Sequence, residues 1–173
     1  MQESFLKEVK ASDETSAQKN TVSASFKRNK LYAKKERQKE LGSALKKQVE
    51  SMTTQYLDKL VDEATHLENI KKISDNLSSS FGDVLINKRL NIGTAQKALN
   101  LYLKFLWCLG KLKGQPPHCP MDSIVLKKAR VYDAWTKCDS MDDYKKWVKK
   151  IKANADAKNL TLPEWELEIW SNK

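Results

Sequence analysis

Glycine is scarce in this chain, five in 173 residues, and none of the five builds a Gly-rich phosphate loop. Nucleotide chemistry that depends on such a backbone cradle is excluded. Alternating apolar and polar residues never persist for a strand's length, which leaves an all-α protein as the expected fold class. Cysteine is limited to Cys108, Cys119 and Cys138, without a C-x₂-C spacing. An odd, scattered set argues against a disulfide framework. His118 and Cys119 are adjacent, but neighbouring residues rarely hold one ion together, so no metal and no cofactor is expected. The stretch MQESFLKEVKASDE has no apolar run behind a basic start. No export signal is therefore expected, and the thiols fit a reduced, cytoplasmic setting. No apolar run is long and uninterrupted enough to span a bilayer, so no membrane partner is expected.

Acidic residues are also short relative to basic ones, 22 against 32, for a net charge of +10. That excess favours a polyanionic partner, nucleic acid ahead of a membrane surface and DNA ahead of RNA. The plain alternative is a basic protein whose charges are only solvated. The most basic stretch is 26–50, with nine Lys and Arg against three Glu from position 27 to 50. Lys27, Arg28, Lys34 and Lys35 are its candidate contacts to a nucleic-acid backbone, joined by Lys104 further along.

The chain is organised around 91–109, NIGTAQKALNLYLKFLWCL. At 100° per residue it is apolar almost all the way round, which places it inside a shell of other helices. The exception is a stripe of Gly93, Lys97, Asn100, Lys104 and Trp107 within a sector of roughly 80°. Residues 1–24 read as a flexible tail or a short docking helix joined by a flexible linker, and 25–173 as one helical domain. Helices are expected over 26–50 and 52–76, then at 91–109 with Asn91 as N-cap. Pro116, Pro117 and Pro120 forbid regular helix and lead to Asp122, the expected cap of a helix to about 131. A loop is expected over 132–139. Ser140 then opens an amphipathic helix, and a capping box of Thr161 and Glu164 opens a last one. The expected architecture is a compact bundle of about six helices.

Two residues stand out for chemistry. From Lys97 the central helix runs on by roughly 18 Å at about 1.5 Å per residue. The linker 110–121 spans roughly 40 Å when extended, enough to bring Asp122 back beside Lys97. An amine on a mostly apolar helix loses its proton more readily than one in water, as a nucleophile requires. A neighbouring carboxylate can stabilise a cationic sugar centre or move a proton. The plain alternatives are a Lys whose stem reaches solvent and an Asp that only caps.

GTAQKALNLYLKFL followed by PPHCPMDSIVL resembles the active-site half of helix-hairpin-helix DNA glycosylases, most nearly the archaeal 8-oxoguanine glycosylase branch. The resemblance covers residues 91–131. It implies a glycosylase-like fold, Lys97 as Schiff-base nucleophile and Asp122 as catalytic carboxylate. The family's Gly-x-Gly hairpin is missing, with only Gly93 present, and so is an iron–sulfur cysteine set. Under this reading Gln96, Asn100, Trp107 and His118 line the pocket of a flipped base. Trp135, beside Lys137 in a loop, is the candidate for stacking on bases. The rival reading is a non-catalytic helical module that binds nucleic acid or a protein through its basic helix.

Neutralising Lys27, Arg28, Lys34 and Lys35 together is expected to flatten the slope of log DNA affinity against log salt. An unchanged slope in a salt titration would assign that run to a solvated face.

Overall fold

The computed structural model describes residues 1–26, 31–33 and 37–172. Lys27, Arg28, Lys34 and Lys35 lie outside the described residues. The architecture is all-α, a compact bundle of eight helices with no β-strand among the described residues. Its centre is α5 (Ile92–Cys108), against which α1 (Gln2–Glu8), α2 (Glu14–Phe26), α3 (Gln38–Asp58), α4 (Glu63–Phe81) and α7 (Met141–Asp156) all pack. Between α5 and α7 lies the short α6 (Ser123–Lys128), and α8 (Leu162–Ser171) closes the chain.

Every residue of α5 from Ile92 to Leu106 is buried, as its all-round apolar pattern requires. Asn91 caps it by accepting from Thr94 N–H at 2.8 Å. It ends where Gly110 takes φ +69°, a left-handed conformation open to glycine, and Lys111 N–H returns to Leu106 O at 2.9 Å. Near its start, α5 touches backbone. A Cβ on Gly93 would stand 1.7 Å from Trp135 O, so only glycine lets the 3₁₀ turn Trp135–Lys137 approach this closely. Ser140 caps α7, and Thr161 with Glu164 forms both halves of the capping box on α8.

Three expectations need correction. Residues 1–24 are two packed helices, not a loose tail: Phe5 is 1% exposed and its ring meets those of Phe105 and Trp170. The buried face of α2 consists of Ala17, Gln18, Thr21 and Ser25. Small and polar residues let a helix sit close to α5 without leaving an apolar stripe in the sequence. The second difference is in the bounds of the helices expected over 26–50 and 52–76: residues 31–33 are not helical, α3 begins only at Gln38, and the break between α3 and α4 is displaced. It falls at 59–62, where Asp62 accepts from Thr65 N–H at 2.8 Å, and not near position 51. Leu60, read as part of an apolar face, is 74% exposed. The third is the count, eight helices where about six were expected, because α1 and α2 are added.

Leu103 is fully buried in the centre of α5. Leu103→Ala is expected to cost roughly 2–5 kcal/mol in urea unfolding. Gly93→Ala is expected to destabilise as well, although alanine favours helix, because its methyl group would collide with Trp135 O. A Gly93→Ala protein as stable as wild type would contradict the close approach.

Candidate functional site

The residue before Lys97 and the residue before Asp122 are clamped together. Gln96 donates to Met121 O at 2.8 Å and accepts from Met121 N–H at 3.2 Å. This two-point contact sets the end of the proline-rich linker against α5. One residue on, Lys97 Nζ lies 2.8 Å from Asp122 Oδ2. The other oxygen of Asp122 accepts from Ile124 N–H at 3.0 Å and Val125 N–H at 3.2 Å, capping α6. The carboxylate is thus both a helix cap and the counterion of Lys97. Burial pushes its pKa up, but Lys97 and the two backbone N–H groups outweigh burial and hold it below the ordinary carboxylate value.

Roughly two turns further along α5, Lys104 Nζ stands 2.6 Å from Glu166 Oε2 of α8. The approach is an ion pair and not an aligned hydrogen bond. The ammonium also lies 3.9 Å from the centre of the Phe5 ring and 5.1 Å from that of Trp170. Both ion pairs line one half-open pocket of about 350 Å³. Phe5, Phe105, Trp135 and Trp170 contribute aromatic wall. Asn20 and Ser23 of α2 add neutral polar groups. With two ammonium groups balanced by two carboxylates, the pocket suits a neutral, flat, hydrogen-bonding ligand better than a bare anion.

Of the residues expected to line the pocket, Gln96, Asn100 and His118 lie instead in a buried polar network behind it. Asn100 donates to Gln96 Oε1 and to the Tyr144 hydroxyl oxygen, both at 3.1 Å. Its own Oδ1 therefore accepts from His66 Nε2–H at 2.9 Å. His66 Nδ1 must then accept from the Tyr56 hydroxyl, whose oxygen accepts from Asn69. The Tyr144 hydroxyl donates to His118 Nδ1 at 2.7 Å, and His118 Nε2–H points at Glu63 Oε1, 3.3 Å away. These bonds are mutually consistent with both histidines neutral. Their side chains hold α3, α4, α5, α7 and the linker together and are committed to one another.

Lys104 is buried in its ion pair and is not a backbone-contacting surface charge. Trp107 is half-buried and does not line the pocket. Trp135 is 4% exposed and forms wall, because the Gly93 contact draws its turn inward, so it is not a free stacking platform. Glu166 was missed by the sequence reading. The signal was present: a Lys in the stripe of a buried helix needs a buried acid, and Glu166 lies one turn before Trp170 on a docking helix. Phe5, Asn20 and Ser23 carried no such signal. Among the described residues no three His, Cys, Asp or Glu converge as a metal site requires, and no helix is long and apolar enough to cross a membrane.

The two histidines carry a pH dependence. Burial, and then the nearby His118 ring, hold the His66 pKa well below its ordinary value. Burial lowers that of His118 to about 4, and Glu63 is too exposed to offset it. A histidine depressed in the folded state binds its proton first in the unfolded chain. Its stability contribution is complete above about pH 6.5 and is lost as pH falls toward the folded value. The free energy of unfolding from urea titrations should fall steeply between about pH 6.5 and about pH 4, by on the order of 3 kcal/mol from His118 alone. A flat profile across that window would contradict neutral burial.

No protein-family model, no curated protein and no solved structure matches this chain, so the functional reading rests on the pocket and its two ion pairs.

Proposed function

We propose that this chain is a DNA glycosylase/lyase that takes a flipped, damaged or modified base into the pocket beside Lys97 and Asp122. One observation carries the reading: an ammonium and a carboxylate held 2.8 Å apart on the wall of an aromatic-lined pocket. A volume of about 350 Å³ lies within the roughly 300–1,000 Å³ range of small-ligand sites. Aromatic walls suit the faces of a base, and the balanced charges suit its neutral edge. The net charge of +10 favours a polyanionic strand.

In this mechanism the Lys97 ammonium gives a proton to the departing base, which leaves with the electron pair of its bond to C1′. The Asp122 carboxylate, held ionised, stabilises the cationic sugar centre. The neutral Lys97 amine then forms a bond to C1′. A proton from that nitrogen passes through Asp122 to the ring oxygen as the C1′–O4′ bond breaks, leaving an iminium. Borohydride delivers hydride to that iminium and yields a stable protein–DNA adduct.

A second reading, a non-catalytic binding module, is favoured by the double use of Asp122. The same contacts that suit catalysis also tie α5 to α6 as plain structure. Borohydride trapping on damaged, modified and abasic oligonucleotides separates the two, with base release measured in parallel. Wild type is expected to form an adduct that Lys97→Ala abolishes. Asp122→Asn is expected to slow base release by on the order of a hundredfold or more. Asparagine caps a helix as well as aspartate, but it leaves Lys97 without its counterion, so thermal stability is measured alongside. Neither adduct nor base release on any substrate would overturn the catalytic reading in favour of the binding module.

A further inference from the structure

The loop after α6 exposes an aromatic ring on a fixed support. Tyr132 is 82% exposed and makes no hydrogen bond or ring contact among the described residues. The chain is nonetheless tied by hydrogen bonds before and after it. Before it, Arg130 sits at φ +56° with its N–H on Lys127 O at 3.0 Å, and Val131 N–H donates to Leu126 O at 2.8 Å. After it, Asp133 accepts from Trp147 Nε1 at 2.7 Å, and Gly93 N–H holds Cys138 O at 2.8 Å.

Cations surround this ring in sequence. Lys127, Lys128, Arg130 and Lys137 are all exposed, and none enters an ion pair among the described residues. The one acid between positions 127 and 137 is Asp133, whose carboxylate is engaged by Trp147. Two residues of this stretch of chain are pocket wall. Ile124 and Trp135 line the pocket from α6 and from the following 3₁₀ turn. Lys127 and Lys128 lie three and four residues past Ile124, hence on the same side of α6 and roughly one turn, about 5.4 Å, beyond it.

We propose that Tyr132 with Lys127, Lys128, Arg130 and Lys137 forms a single-stranded nucleic-acid contact surface at the rim of the pocket. Tyr132 stacks on one base and the four cations meet the flanking phosphates. An exposed ring flanked along the chain by unpaired cations is the chemistry that holds single strands without reading sequence. An unpaired nucleotide stacked here would lie beside the pocket. The surface deepens the nucleic-acid reading above, and rests on it for the class of partner only.

The test is anisotropy of a labelled mixed-sequence single-stranded oligonucleotide with the full chain, titrated at several salt concentrations. Tyr132→Ala is expected to weaken binding roughly five- to a hundredfold, whereas Tyr132→Phe stays within about twofold of wild type. Because the ring is exposed, both variants should keep the wild-type circular dichroism spectrum. Replacing the four cations with Gln should lower the slope of log affinity against log salt by about 0.7 for each phosphate left unneutralised. Tyr132→Ala binding as wild type overturns the stacking surface, even if the cation variant weakens binding. Single strands bound through Tyr132 without any borohydride adduct uphold the surface and overturn the lyase. An adduct formed while Tyr132→Ala binds normally does the reverse, and no affinity for any nucleic acid at low salt overturns both.

Discussion

A buried helix cannot carry unmatched charge, and in this protein that constraint falls on α5. Lys97, Lys104, Gln96 and Asn100 sit among residues that are buried without interruption from Ile92 to Leu106. Removing an ammonium from water costs several kcal/mol unless a carboxylate and hydrogen bonds replace the solvent. Each polar group therefore requires a partner delivered by another element. Asp122 arrives at the start of α6, Glu166 from α8, Met121 from the linker, His66 from α4 and Tyr144 from α7. The surrounding helices meet α5 where its polar groups can be satisfied.

These matches divide into two zones of different character. Behind α5 the histidine, tyrosine and amide side chains satisfy one another in a sealed network, which fixes the relative placement of five elements. At the front, the ion pairs retain access to a pocket, with side-chain exposures of 9% and 19% for Lys97 and Asp122. A rigid rear and an accessible front are what positioning of a reactive pair requires, since small displacements of reacting groups reduce rate. Gln96 joins the zones: the same side chain takes part in the rear network and clamps Met121 beside the pair.

The N-terminal helices complete the front. Phe5 and Val9 of the α1 region and Asn20, Ser23 and Ala24 of α2 are all pocket wall. Phe5 also lies beneath the Lys104 ammonium, where a ring face adds attraction to the charge already met by Glu166. A segment whose composition reads as a tail thus contributes to the site, because its contacts are made by one aromatic ring and a row of small residues.

Much of the fold was legible because its signals are local. Asn91, Asp122, Ser140 and Thr161 cap helices through hydrogen bonds to residues two or three positions ahead, so their types at those places suffice. The burial of α5 follows from its own apolar periodicity, and linker length alone allowed Lys97 to meet Asp122. That they do meet is tertiary, since it depends on the Gln96–Met121 clamp between segments distant in sequence. The packing of α2 was hidden because its buried face is small and polar, and helices that pack by close approach leave no hydrophobic stripe. Between the two aromatic residues of one loop, only the folded structure decides which turns inward. Trp135 is drawn in because Gly93 leaves room for its backbone, and the Asp133 side chain bonds that of Trp147 while Tyr132 stays outside.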